Sequence, residues 1–204
     1  YSEILAEELS YGTPKPYRVI DSEFVASLSR ASVLHDVGKV GIPDDVLLKP
    51  GRFTPEERAI METHTTIGAE ILERARSRTE NPPGFLAMAC EVARSHHEWY
   101  DGSGYPDGLL GEAIPLAARI VAVADVFDAL ISKRVYKEAF TAEDAKAMIL
   151  GGSSTQFDPE VVAAFTARFD ELLAIHEMNR EQINPEPEAD RSAEDRADEV
   201  SMLV

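Results

Sequence analysis

Six residues of this chain have the types and the spacing needed to bind divalent metal ions. Four of the five histidines recur at positions that otherwise hold apolar residues at helical spacing, and two of these histidines are adjacent. One aspartate directly follows the first histidine, and another lies in an apolar run, where an unpaired carboxylate would cost several kcal/mol. The six candidates are His35, Asp36, His64, His96, His97 and Asp125.

The donor atoms indicate which ions would be bound. Imidazole and carboxylate groups suit iron, manganese and zinc, whereas a single cysteine argues against a structural zinc site built from thiolates. Six ligands exceed what one catalytic ion uses while it keeps positions open for water and substrate. We therefore expect two ions bridged by a carboxylate, with Asp36 as the candidate bridge. Neighbouring helix residues project about 100° apart, so His96 and His97 can serve different ions.

These ligands are expected on helices. Apolar residues recur at helical spacing between breaks rich in Pro and Gly, and strand alternation is hard to find, so the chain is predicted to be all-α. A capping box at 54–57 begins one helix, and residues 115–131 form another that is apolar nearly all round, which predicts central burial with Asp125 in its middle. The stripes that carry histidines are Phe24, Leu28, Ala31 and His35; Ile60, His64, Ile67 and Ile71; Ala89, Val92 and His96; and Leu86, Ala93 and His97.

Composition narrows the classes of protein. The chain has 204 residues, with 20 Lys and Arg against 37 Asp and Glu, and a formal net charge of −17. This acidity argues against a nucleic-acid polymer as partner. Cys90 has no second cysteine to pair with, which suits a reducing compartment, and we expect the cytoplasm. No apolar run approaches the ~20 residues of a membrane span, and we expect no secretory signal because no basic segment is followed by an apolar one.

The chain divides into one domain and a tail. From residue 180 onward, eight acidic residues stand against three arginines, with two prolines and few large apolar side chains. We expect residues 180–204 to be an acidic, disordered tail and residues 1–179 to form a single domain.

The motifs resemble those of the HD-GYP domain, a branch of the HD superfamily. The resemblance runs from about Ser32 to Phe157. The residues that carry it are His35-Asp36-Val37-Gly38-Lys39, Gly41-Ile42-Pro43-Asp44, Leu48-Lys49-Pro50-Gly51, His64-Thr65-Thr66-Ile67-Gly68, His96-His97-Glu98, Gly102-Ser103-Gly104-Tyr105-Pro106 and Arg119-Ile120-Val121-Ala122-Val123-Ala124-Asp125.

The resemblance implies a fold and an activity. The fold would be an all-helical HD-superfamily bundle with a site for two or three metal ions, most often iron or manganese. The activity would be metal-dependent hydrolysis of the bacterial second messenger cyclic di-GMP, through a metal-bridging hydroxide, to the linear dinucleotide or to GMP.

The resemblance also assigns roles by position. The six residues above would be the metal ligands, with Asp36 and Lys39 as catalytic residues and Lys39 close to the substrate phosphate. The remaining positions that would line the substrate site are Gly104, Tyr105, Pro106, Arg134 and Lys137.

Two features depart from the family pattern or extend it. The family places a further histidine ligand on the helix that ends here near Leu9, and its absence suggests that this helix is truncated. The segment 11–24 resembles the insert found when such a domain follows a receiver domain, so we expect a response regulator with an upstream receiver.

Other functions remain open at this stage. The chain could be a catalytically silent module that binds cyclic di-GMP or a diguanylate-cyclase (GGDEF) domain, although its intact ligand set favours an enzyme. A nucleotidase of HD type, acting on another phosphoester, is disfavoured by the Gly104-Tyr105-Pro106 loop, and related cyclic dinucleotides also remain candidates as substrates. For Glu98 and Asp101 we expect structural roles, the latter in stabilising a turn.

Overall fold

The structure, a computed structural model, describes residues 1–11, 19–132 and 139–183, with side chains as far as 179. Within these ranges the chain is all-α, as predicted, apart from short 3₁₀ turns and two isolated bridges. No helix in these ranges is long and apolar enough to cross a membrane. The helices are α1 (Ser2–Tyr11), α2 (Ser22–Ser32), α3 (Asp44–Leu47), α4 (Pro55–Glu62), α5 (His64–Ser77), α6 (Phe85–Ser95), α7 (Leu116–Ile131), α8 (Ala142–Gly151), α9 (Pro159–Ala167) and α10 (Phe169–Ile183).

Helix α7 lies at the centre of the bundle, which confirms the prediction from its apolar sequence. It packs against α1, α6, α8 and α9, and most of its apolar side chains are buried. The rings of Phe127, Phe165 and Phe169 meet edge to face where α7, α9 and α10 converge, with centroids 5.1 to 6.0 Å apart. Asp125 is thereby held in a rigid part of the core.

Helix α6 leads directly into the two adjacent histidines, His96 and His97. It packs against α5, α2 and α7, so its C-terminal end faces the end of α2 and the beginning of α5. The three helix termini that bear the histidines therefore converge at one place in the bundle.

Two helices end earlier than the histidine stripes predict. Helix α2 ends at Ser32, and the chain continues to His35 in turns closed by hydrogen bonds between residues three apart. Helix α6 ends at Ser95, so His96 caps it and His97 lies beyond it. The prediction that these histidines lie within helices is wrong: they follow helix ends, where the last carbonyl oxygens have no partner within the helix.

The helix predicted from residue 54 through residue 71 is in fact two helices. Its start is confirmed, because the hydroxyl of Thr54 accepts from the N–H of Glu57 while the Glu57 carboxylate accepts from the N–H of Thr54. The break falls at Thr63, whose hydroxyl donates to the carbonyl of Ile60 at 2.6 Å. Such side-chain bonds compete with the helical ladder, and they end α4 directly before His64.

Several predictions concern residues that the structure leaves out. Residues 12–18, which cover part of the segment resembling a receiver insert, lie outside the described residues, as do Arg134 and Lys137. The predicted boundary at 179 falls inside α10, which continues to Ile183, and the rest of the acidic tail is not described.

Candidate metal centre

Three histidines of the site are each oriented by a hydrogen bond to a nearby backbone carbonyl. In His35, His64 and His96 the ring Nδ1 lies 2.6, 2.7 and 3.0 Å from a carbonyl oxygen in the preceding turn of the chain. A carbonyl oxygen only accepts hydrogen bonds, so Nδ1 must carry the proton. When such a ring is neutral, the lone pair of Nε2 is directed into the space between the helices, the arrangement found for imidazoles that bind metal.

The Nε2 atoms point at one another and at a carboxylate. The Nε2 atoms of His64 and His96 are 3.5 Å apart, and they lie 3.5 and 3.9 Å from Oδ1 of Asp36. Two sets of ligand atoms each fit within 4.8 Å, one formed by His64, His96 and His97, and the other by His35, Asp36 and His96. Asp125 completes the cluster, with its Oδ1 3.6 Å from Nε2 of His35. The structure thus brings together all six residues singled out as candidate ligands.

One oxygen in this cluster is left without a partner by the protein. Among the buried side-chain polar atoms of the described residues, Oδ1 of Asp36 has no hydrogen bond. Leaving a buried carboxylate oxygen unpaired costs about 1–3 kcal/mol or more. Because the nearest groups are imidazole nitrogens that offer lone pairs, a divalent cation at this point would satisfy all of them together. The residues present therefore fit a metal ion.

Without a metal, protons supply the positive charge. Burial opposes charge on His35, but its hydrogen bonds to Asp125 and Asp36 outweigh burial and raise the pKa of His35 to about 10. For Asp36, burial would raise the pKa, yet the bonds from His35 and Lys39 hold that pKa well below its usual range. Burial lowers the pKa of His96 to about 4, with the charge of His35 acting in the same direction, and burial also lowers the pKa of His64 and of His97. At neutral pH and without metal, a protonated His35 and three neutral imidazoles thus surround the carboxylates of Asp36 and Asp125.

The turn after His35 places a cation beside this carboxylate. The 3₁₀ turn Val37–Gly41 follows Asp36 directly, and it sets Nζ of Lys39 2.6 Å from Oδ2 of Asp36. The Lys39 side chain is 41% exposed, so its ammonium group is accessible from outside the cluster. Gly38 in the same turn lies against the backbone of α5, and a side chain there would overlap that backbone.

The loop after His97 forms one wall of the site. The ring of Tyr105 stacks on the ring of His97, with centroids 4.9 Å apart and an angle of 24° between the planes. Glycine is favoured at Gly102 because φ there is +84°, and it is required at Gly104 because a Cβ would overlap the backbone nitrogen of Trp99. The predicted turn role of Asp101 is confirmed, because its Oδ1 accepts from the N–H and the hydroxyl of Ser103.

The structural role predicted for Glu98 is confirmed by its contacts. Its side chain is buried, and its two oxygens accept from the backbone N–H groups of Asp107 and Leu109. The available signal was an acidic residue directly after two histidines, in a segment that must be buried. The fifth histidine of the chain, His176, lies on α10, and its Nδ1 is 3.4 Å from the hydroxyl of Tyr1.

Comparison with known proteins identifies the family of this chain. Residues 18–161 match the family model described as the HD domain. The chain belongs to the HD domain family. The prediction of an HD-superfamily fold is thus confirmed, and the HD-GYP resemblance is supported by relatives of this HD domain.

Two relatives align with most of the HD domain. The chain is 50% identical over 175 residues to a cyclic di-GMP phosphodiesterase of Vibrio cholerae serotype O1, and the alignment covers 86% of this chain and 35% of the relative. It is 51% identical over 145 residues to the cyclic di-GMP phosphodiesterase response regulator RpfG of Xanthomonas campestris pv. campestris, covering 71% of this chain and 37% of the relative. The chain therefore spans little more than a third of the length of these curated relatives.

A solved structure shares the fold. The crystal structure of a cyclic GMP-AMP specific phosphodiesterase of V. cholerae superposes with a TM-score of 0.53 at 19% sequence identity. The superposition covers 90% of this chain and 45% of that chain. At this identity the likeness concerns the fold alone.

Proposed function

We propose that this chain is a metal-dependent phosphodiesterase that hydrolyses cyclic di-GMP. The proposal is carried by one observation: two sets of metal-ligand atoms meet at the unpaired oxygen of Asp36, next to Tyr105 of the Gly-Tyr-Pro loop. The printed activity of the two relatives supports the choice of substrate. An exposed lysine at the rim of an acidic chain supports an anionic substrate.

The roles of the six ligands follow from their donor atoms. The Nε2 atom of an imidazole has one lone pair and serves one ion, so His96 belongs to only one of the two sets. Asp36 has two oxygens, of which Oδ1 faces His64 and His96 while Oδ2 faces His35. Asp36 is therefore the proposed bridge between two ions. We propose iron or manganese as the ions, in a site of two or three, because the donor set mixes imidazole and carboxylate without thiolate.

The remaining chemistry is divided between the ions and the protein. When bound, divalent ions lower the pKa of water and offset the charge of the phosphoryl oxygens. If Asp36 held a metal ion, its ion pair with Lys39 would weaken, and the Lys39 ammonium would be available to contact a phosphate oxygen. Burial raises the pKa of the Tyr105 phenol, so the phenol stays protonated and can donate a hydrogen bond to the substrate. Gly104 and Pro106 would hold that ring in place.

Two further residues are proposed from the family resemblance. Arg134 and Lys137 would contact the substrate phosphates, where they would supply positive charge that this acidic chain otherwise provides sparingly. Their positions lie outside the described residues, so mutagenesis is the direct way to test them.

The wider context of the domain is also proposed. In the intact protein, residues 1–179 would act as an output domain behind a receiver domain, in line with the response-regulator relative, and residues 180–204 would form a disordered acidic tail. The cytoplasm is the proposed location, because the single cysteine of the chain, Cys90, suits a reducing compartment. GGDEF domains are proposed as further partners.

The decisive experiment is turnover of cyclic di-GMP by the chain loaded with Mn²⁺ or Fe²⁺ without oxygen. We expect the product, the linear dinucleotide or GMP, to be resolved by chromatography, and turnover to be lost in His96→Ala. Glu70→Gln is the matched control, because Glu70 is 67% exposed on α5 and pairs only loosely with Arg74. Cyclic GMP-AMP serves as the competing substrate. Metal-loaded protein that binds cyclic di-GMP without cleaving it would refute the enzyme and identify a receptor module.

A further inference from the structure

The Gly-Tyr-Pro loop is anchored to the metal cluster through one buried carboxylate. Glu98 is 2% exposed, and it directly follows the two adjacent histidines of the site. Its Oε1 accepts from the N–H of Asp107 at 2.7 Å, and its Oε2 accepts from the N–H of Leu109 at 2.9 Å. Both carboxylate oxygens are thus used, and both partners are backbone groups of the loop.

The first residues of the same loop contact the backbone on either side of Glu98. The N–H of Tyr105 donates to the carbonyl of His97 at 3.1 Å. A side chain at Gly104 would overlap backbone atoms of residues 97–99, so the two segments touch without side chains between them. The loop from 104 to 109 is therefore held at its beginning by backbone contact and at its end by Glu98.

This anchoring determines where Tyr105 lies. Tyr105 sits between the two attachment points, and its ring stacks on His97, a member of one set of candidate metal ligands. Outside the loop, Arg94 forms a two-pronged ion pair with Asp107 at 2.7 Å, but this pair is largely exposed to solvent. Exposed ion pairs contribute little to stability, whereas hydrogen bonds from backbone N–H to a buried carboxylate contribute much more. Glu98 is thus the stronger tether.

We propose that Glu98 is a positioning residue for substrate binding: by fixing the backbone at Asp107 and Leu109, it holds Tyr105 against His97. The inference rests on the proposed phosphodiesterase function for its effect on substrate. Glu98 points away from the cluster toward the loop, so its loss weakens substrate binding while the metal ligands remain. Its removal therefore raises KM more than it lowers kcat.

The test compares Glu98→Gln with wild type and with Glu70→Gln. A glutamine keeps the shape of the side chain but has one acceptor oxygen, so its NH₂ group must face a backbone N–H. We expect amide exchange at Asp107 and Leu109, followed by NMR, to accelerate about tenfold or more. The fluorescence of Trp99, the one tryptophan of the chain, should change because its backbone abuts Gly104. KM for cyclic di-GMP should rise about tenfold with kcat within about threefold, and metal content should be unchanged.

Each outcome either supports or overturns the positioning role of Glu98. Unchanged amide exchange, or a loss of kcat and bound metal with KM unchanged, would overturn the positioning role. If Glu98→Gln does not fold, the wild-type chain still provides a test: the amides of Asp107 and Leu109 must exchange at least about tenfold more slowly than that of Gly108, the exposed residue between them. Equal rates would overturn the inference. A wild-type chain without turnover, but with protected amides, would refute the proposed function and leave the tether intact.

Discussion

Replacing Gly38 by alanine should separate the two halves of the metal cluster. Gly38 lies in the 3₁₀ turn after Asp36, and a Cβ there would overlap the carbonyl oxygen of His64 and the backbone nitrogen of Gly68, and lie 2.9 Å from Cα of Gly68. All three are backbone atoms of α5, which cannot rotate aside as a side chain can. The turn that carries Asp36 must therefore move away from the helix that carries His64.

The cost follows from the kind of contact. Overpacking in a dense interior typically costs about 1–3 kcal/mol, and contact with three backbone atoms places Gly38→Ala near the upper end. For a chain of this size, about 3 kcal/mol lowers Tm by roughly 6–12 °C. Because Asp36 and His64 belong to different sets of ligands around the same unpaired oxygen, the separation should also weaken metal binding by about tenfold or more.

Gly68→Ala provides the matched control. Its Cβ would lie 3.2 Å from the nitrogen of Gly38 and 3.5 Å from Cβ of Ala93, so only a few tenths of an ångström must be yielded. Within α5 the change from glycine to alanine also adds about 1 kcal/mol of helix propensity, which offsets that contact. We expect a Tm within about 3 °C of wild type.

Urea unfolding followed by circular dichroism gives the stabilities, and titration with Mn²⁺ gives the metal affinities. If Gly38→Ala matches Gly68→Ala in both measurements, the close approach of the turn to α5 does not determine the geometry of the site.

Three further predictions concern metal, a buried ion pair and an exposed one. Mn²⁺ at about 100 times its Kd should raise Tm by roughly 5–10 °C, a shift that a chelator reverses and that His96→Ala abolishes in thermal scans. The carboxylate of Asp158 is 1% exposed and lies 2.5 Å from Arg119. Arg119→Ala removes that partner and should lower the free energy of unfolding in urea by about 3–5 kcal/mol, and adding Asp158→Asn should recover part of the loss. Arg94 holds the pKa of Asp107 below its ordinary 3.8, so their pair stabilises the fold above about pH 4 and loses that effect as the pH falls through the lowered pKa. Because the pair is exposed, Asp107→Asn should change stability by less than about 1 kcal/mol at pH 7, and the difference from wild type should vanish once the pH falls below the lowered pKa of Asp107.

The helical fold and the ligand types were readable from the residues in order. Periodicity of about 3.6 residues records which face of a helix is buried, and so α7 was correctly expected at the centre with Asp125 inside it. The capping box at Thr54 was equally visible, because it depends on residues three apart in the chain. The six candidate ligands could be named because imidazole and carboxylate groups in apolar surroundings need a partner.

The helix ends and the distances depended on long-range packing. The hydroxyl of Thr63 and the rings of His64 and His96 compete with the helical ladder for carbonyl oxygens, and propensities summed along a chain do not resolve that competition. No local pattern shows that Glu98, three residues after α6, bonds to a loop nine to eleven residues further on. Nor does a local pattern show that Gly38 must lie against α5. Local order in the chain therefore specifies which groups are available for chemistry. These groups approach to within about 4 Å of one another because helices that are distant in sequence pack together. No single helix determines that packing, because each buried face is covered by several elements that meet in the core.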